Sequence, residues 1–183
     1  MSFPPPALEA LATRAVTLLK QRKETVSFVE TATGGLVSST ILSIPGTSAV
    51  FKGGVAAYQL AVREKWLEWQ RPDKYDGPNE ETVADLASSC RRQLSSTYAL
   101  AESGVAGPGR PDVYRPEITG PGYCSLALVG EGLPEEGVRR TVKPEDNPVE
   151  GGKERSRGEW MVVFAEEMLK LLVDVLEEKE KGK

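Results

Sequence analysis

Leu8, Leu11, Ala12, Ala15, Leu18 and Leu19 recur at three- and four-residue intervals, with Arg14, Lys20 and Arg22 between them. This spacing gathers the apolar side chains on one stripe and predicts an amphipathic first helix. The β-branched run Val26 to Glu30 then reads as a strand, Thr31 to Gly35 as a glycine turn, and Leu36 to Ile44 as a helix that Pro45-Gly46 ends. Val50 to Tyr58 predicts a second strand, and a short helix follows through Arg63 and Trp66. The polar stretch Gln70 to Pro78 is a loop, after which Asn79 caps a helix reaching about Ser95, with Glu80 and Glu81 at its positive end.

Tyr98 to Ser103 predicts a strand that feeds a second glycine turn, Gly104 to Gly109. Tyr123 to Val129 and Val138 to Val142 form a hairpin across Gly130 to Gly137. Trp160, Val163, Phe164, Met168, Leu171, Leu172 and Val175 mark one face of a long last helix, which gives way to a charged tail, 177–183. This order is that of an α/β fold, a sheet covered by helices on both faces. Residues 1–183 read as a single domain behind a Pro-rich lead, 1–6, with no internal repeat or linker, and a length of 183 residues with 39% hydrophobic content suits one core.

Charge narrows the partners. Lys and Arg number 23 against 27 Asp and Glu, a net charge of −4 that offers no field to draw in nucleic acid or an anionic membrane. A small-molecule or protein partner is favoured by that charge; the lead lacks a basic segment and an apolar core, and no apolar run approaches the ~18 residues of a membrane span, so a soluble, cytoplasmic protein is expected. Cys90 and Cys124 are too few for a disulfide framework and have no C-x-x-C spacing; buried thiols are expected. The chain has no histidine, which excludes Ser-His and Cys-His dyads and histidine-ligated metal sites. Catalysis would fall to Ser, Thr, Tyr, Lys, carboxylates and backbone N–H groups.

Both glycine turns place hydroxyls where the carboxyl ends of strands gather, the usual ligand position of open α/β sheets. The first turn also starts a helix, so the N–H groups near Gly34 and Gly35 could hold a phosphate or an oxyanion. A plain tight turn is the alternative.

Glu30-Thr31-Ala32-Thr33-Gly34-Gly35 resembles the E-S-C-T-G-G motif of the CinA C-terminal, nicotinamide-nucleotide amidase-like family. Pro45 to Val55 resembles that family's P-G-S-S-A-V-F-x-G-G-V segment, Tyr58 matches the tyrosine closing it, and Ser103 to Gly109 resembles T-G-I-A-G-P-G. The resemblance runs from about Leu8 to Leu176. It implies a three-layer α/β/α sandwich with a central mixed sheet, a homodimer, and hydrolysis of the carboxamide of nicotinamide mononucleotide or a related small amide without a cofactor. Carried over by position, the family's nucleophile, base and assisting hydroxyl fall on Thr31, Arg63 and Ser103. Glu30, Thr33, Gly34, Gly35, Ser48, Tyr58, Gly104, Gly107 and Arg110 are the candidate substrate contacts, although Tyr58 reads more readily as a packing residue.

The chain departs from the family at the chemistry. Guanidinium stays charged in proteins, so Arg63 cannot replace a lysine base, and Thr31 offers a secondary hydroxyl on a stiff, branched side chain. The family's N-E-A-K is replaced by Leu60-Ala61-Val62-Arg63, and Lys65 points elsewhere on that helix. Glu102 stands where the family carries an apolar residue; it could pair with Arg63, act as an acid or base of raised pKa, or be a solvent-facing strand end. Arg110, Lys153, Arg155 and Arg157 are further cations for an anionic ligand. Three readings stay open: an amide hydrolase with an altered dyad, a scaffold repurposed for isomerisation, cyclisation or elimination, and a non-catalytic nucleotide-binding homologue.

Overall fold

A computed structural model describes residues 3–109, 111–118, 120–148 and 154–181. Five strands, β1 (Val26–Glu30), β2 (Phe51–Ala56), β3 (Tyr98–Val105), β4 (Tyr123–Gly130) and β5 (Val138–Val142), form one sheet in the order β2-β1-β3-β4-β5. β1 runs parallel to both β2 and β3, while β3, β4 and β5 alternate in direction, so the sheet is mixed. Pairing alternates faces: Phe28, Leu100, Leu126 and Leu128 enter one apolar core, and Val29, Ala99, Ala101, Ala127 and Val129 enter the other.

Helices α1 (Pro6–Arg22), α2 (Leu36–Leu42) and α5 (Arg157–Lys181) cover the first core. Helices α3 (Leu60–Leu67) and α4 (Glu80–Leu94) cover the second, which completes the three layers. Asn79 caps α4 as expected, its side chain accepting from the Thr82 N–H at 2.8 Å. The last helix continues into the charged segment as far as Lys181, and Glu177 on it meets Arg14 of α1 at 2.8 Å. Both cysteines are buried, and burial pushes both thiols up, so neither offers a ready thiolate. Among the described residues, no helix is long and apolar enough to cross a membrane.

The topology fixes where a ligand can sit. From β1 the chain moves to one neighbour, β2, through α2, and then to the other, β3, through α3 and α4 on the opposite face. The carboxyl end of β1 is therefore a switch point, where diverging connections leave a crevice above the sheet.

Candidate active site

A cleft of about 440 Å³ opens at that switch point. Thr31, directly after β1, lines it together with Ser103 near the end of β3 and Tyr58 just past β2. The two glycine turns thus meet at one edge of the sheet. Two other grooves are more open. One of about 330 Å³ lies between the end of α2 and β2, contains Ser48, and shares no lining residue with the cleft. In the other, about 530 Å³, Arg115 pairs with Asp76 at 3.3 Å and Thr141 donates to Glu80 at 2.7 Å.

Arg63 enters the cleft wall from α3 with only 5% of its surface exposed. Its Nε donates to the Ala57 carbonyl at 3.0 Å and Nη2 to the Tyr58 carbonyl at 3.3 Å, so the chain leaving β2 fixes the guanidinium. Nη1 reaches the Ser103 and Tyr75 hydroxyls, both at 3.4 Å. It forms no ion pair with any described residue. A buried cation compensated only by dipoles favours an anionic group in the space beside it. At the rim, Arg157 of α5 donates to the Gly107 carbonyl and lies 3.3 Å from the Tyr58 hydroxyl. Tyr58 is 59% exposed, so it borders the cleft rather than packing in the core.

Glu102 does not meet Arg63. Neighbouring residues on a strand face opposite ways, so Ser103 points to Arg63 and Glu102 turns to the α1, α2 and α5 side, fully buried. There its Oε1 accepts from the Thr31 N–H at 2.6 Å, the Thr33 N–H at 2.8 Å and the Thr33 hydroxyl at 2.9 Å. Its Oε2 has the Thr31 hydroxyl at 3.4 Å and the Cys124 thiol at 3.7 Å. Burial raises its pKa above the ordinary carboxylate value; the bonds from Thr33 and Thr31 oppose that rise and the nearby Glu30 adds to it.

Glu30 is a fastening for the turn. Its carboxylate accepts from the N–H groups of Gly35 and Val37 at 3.0 Å and of Ser38 at 2.8 Å, and from the hydroxyls of Ser38 at 2.6 Å and Thr33 at 2.8 Å. The backbone donors expected to hold a phosphate near Gly34 and Gly35 are thus taken by this side chain, and neither glycine lines the cleft. Gly35 is needed because the turn enters α2 at φ 102°.

Of the candidate residues, Thr31, Tyr58, Arg63, Ser103, Gly104 and Gly107 come together around the cleft. Glu30, Thr33 and Glu102 form a buried layer beneath Thr31, and Ser48 stands apart. Arg110 and Lys153 lie outside the described residues. Sequence reading missed Tyr75 and Tyr114, which line the cleft from loops that carry no periodic signal. It also missed Cys124, brought to Glu102 by the β3–β4 register, and Ser125, directly across from Ser103. The buried Ser125 hydroxyl has no hydrogen-bond partner among the described residues.

Comparison with known proteins adds lineage to this geometry. A family model described as the CinA C-terminal domain matches residues 8–128. A CinA-like protein of Pseudothermotoga lettingae is 31% identical over 150 residues, 81% of this chain and 36% of that protein. A CinA-like protein of Thermosipho melanesiensis is 40% identical over 104 residues, 56% of this chain and 26% of that protein. The chain thus spans about a third or less of the length of these curated relatives. Among solved structures, a competence/damage inducible protein from Agrobacterium tumefaciens superposes with a TM-score of 0.79 at 22% identity, covering 97% of this chain and 99% of that one. A CinA superfamily protein from Klebsiella pneumoniae gives 0.77 at 17% identity, covering 93% and 98%. At such identities the likeness concerns the fold.

Proposed function

Given that the chain belongs to the CinA C-terminal domain family, we propose that its cleft binds a small, anionic, amide-bearing molecule, nicotinamide mononucleotide or a relative, and hydrolyses the amide. The observation that carries this reading is that Thr31 and Ser103 line one cleft beside a buried arginine that has no carboxylate partner among the described residues. Thr31 supplies the attacking oxygen. Arg63 serves as a fixed positive charge that orients Ser103 and attracts the anionic part of the substrate, because a guanidinium does not give up its proton to become a base. Ammonia release from nicotinamide mononucleotide tests the reading. Loss of release in Thr31→Ala supports it, and no ammonia from the folded wild-type protein sinks it.

A second reading, binding without turnover, draws support from the same Arg63, since the family's proton acceptor is missing. Its signature in calorimetry is tight binding of the mononucleotide with no product. The alternative of an isomerase or lyase built on an Arg63–Glu102 pair loses its central contact, because the two side chains face opposite sides of the sheet. A homodimeric state belongs to the proposal as well, and light scattering tests it.

A further inference from the structure

The two oxygens of Glu102 have different surroundings. Oε1 accepts from two backbone N–H groups at 2.6 and 2.8 Å and lies 2.9 Å from the Thr33 hydroxyl, which it shares with Glu30. Oε2 has longer contacts, the Thr31 hydroxyl at 3.4 Å and the Cys124 thiol at 3.7 Å, which burial holds in its neutral form. The same carboxylate thus ties down the backbone of Thr31 with one oxygen and faces its hydroxyl with the other. On the far side, Thr31 borders the cleft.

We propose that Glu102 accepts the proton of the Thr31 hydroxyl and so replaces the lysine base the family motif leads one to expect at Arg63. The inference rests on the reading of Thr31 as the attacking group. A separation of 3.4 Å exceeds that of a finished O–H···O bond, and catalytic hydrogen bonds commonly shorten when substrate arrives. In the forward step the Thr31 oxygen bonds to the amide carbon while its proton moves to Oε2. The C–N bond then breaks, and nitrogen leaves as ammonia with that proton. Water attacks the resulting ester and gives a proton to Glu102. The ester C–O bond breaks, and the Thr31 oxygen recovers the proton. The sum is amide plus water giving acid plus ammonia, with Glu102 unchanged.

The setting suits a base. Among the described residues, the titratable groups against Glu102 are Glu30 from β1 and Cys124 from β4. Helix α5 contributes apolar Met161 and Phe164 against the adjacent Gly34 and Gly104. Among the described residues no cation pairs with the carboxylate, and burial raises its pKa above the ordinary value, which makes it a stronger base than a surface glutamate.

A phosphorylating probe tests the proton transfer without any amide. Diisopropyl fluorophosphate reacting with Thr31 forms an O–P bond, expels fluoride and sends the proton to Oε2; intact-mass spectrometry and peptide mapping read the adduct. Labelling of Thr31 is expected in the wild type, with a rate that rises with pH through one titration and then levels, and a loss of at least ~100-fold in Glu102→Gln. No adduct at Thr31, equal labelling of Glu102→Gln, or a rate that climbs with hydroxide without levelling overturns the proposal. If circular dichroism shows that Glu102→Gln does not fold, the wild-type pH profile decides alone. Labelling without ammonia release sinks the amidase reading and leaves Glu102 as base; ammonia release that persists in Glu102→Gln does the reverse.

Discussion

The carboxylates of Glu30 and Glu102 converge on a single hydroxyl: Thr33 Oγ1 lies 2.8 Å from Glu30 Oε2 and 2.9 Å from Glu102 Oε1. One hydroxyl proton cannot satisfy both acceptors at once. A buried pair of this kind is eased when one carboxyl keeps a proton, and Glu102, the fully buried member, has its pKa raised.

Removing that hydroxyl is predicted to be costly. Thr33→Val keeps the shape but leaves two buried carboxylate oxygens facing each other without their common donor. Urea unfolding is expected to register a loss of about 1–3 kcal/mol, the usual cost of stranding a buried polar group. An unchanged midpoint would mean that the carboxylates find another donor in the folded protein.

The pH dependence of stability has a definite sign. The folded pKa of Glu102 is raised, so the folded state keeps a proton that the unfolded chain has released. Its stabilising contribution is complete below the ordinary value of 4.5 and is lost as pH rises through the folded pKa. The unfolding free energy of the wild type minus that of Glu102→Gln is therefore expected to fall as pH increases above that value. A difference that stays flat across a urea series at stepped pH contradicts this.

The same residue marks where sequence reading succeeded and where it stopped. Apolar periodicity located the strands and helices, because core and solvent faces alternate with the geometry of each element, and the Asn79 cap and the β4–β5 hairpin follow from local chemistry. Thr31 and Ser103 were legible as partners because both follow from the strand-end rule. Which way Glu102 faces was not. That depends on the phase of β3, which continues through Gly104 to Val105, beyond the point where the glycine turn suggested an end. Glu30 was misleading for a related reason: nothing in a glycine turn tells whether its N–H groups await a ligand or are filled by the chain's own carboxylate.

Gly104 is a packing requirement of the site. A Cβ there would stand 2.9 Å from Cys124 Sγ and 3.0 Å from Phe164 Cε2, between β4 and α5. Gly104→Ala is expected to lower stability by about 1–3 kcal/mol, the common cost of overpacking, and to shift the cleft residue Ser103 next to it. Thermal unfolding checks the first effect, and weaker mononucleotide binding by calorimetry checks the second.

The last prediction separates a lost reaction from a lost pocket. In Arg63→Lys a single ammonium must replace a guanidinium that spans the Ala57 and Tyr58 carbonyls and the Ser103 hydroxyl, so this change alone is expected to cost stability without adding activity. Thr31→Ser frees the attacking oxygen from a branched Cβ but supplies no new base. Together they restore a primary hydroxyl and a desolvated amine, and residues that act as a unit give non-additive gains. The double variant is expected to release ammonia from nicotinamide mononucleotide at least ~100-fold faster than the wild type, the scale of one general base. Because the amine is a second base, the gain should survive Glu102→Gln in the same background, whereas wild-type turnover should not. If the folded double variant turns over no faster than the wild type, the cleft itself has diverged from the family's substrate, and the altered residues at 31 and 63 are a consequence of that change.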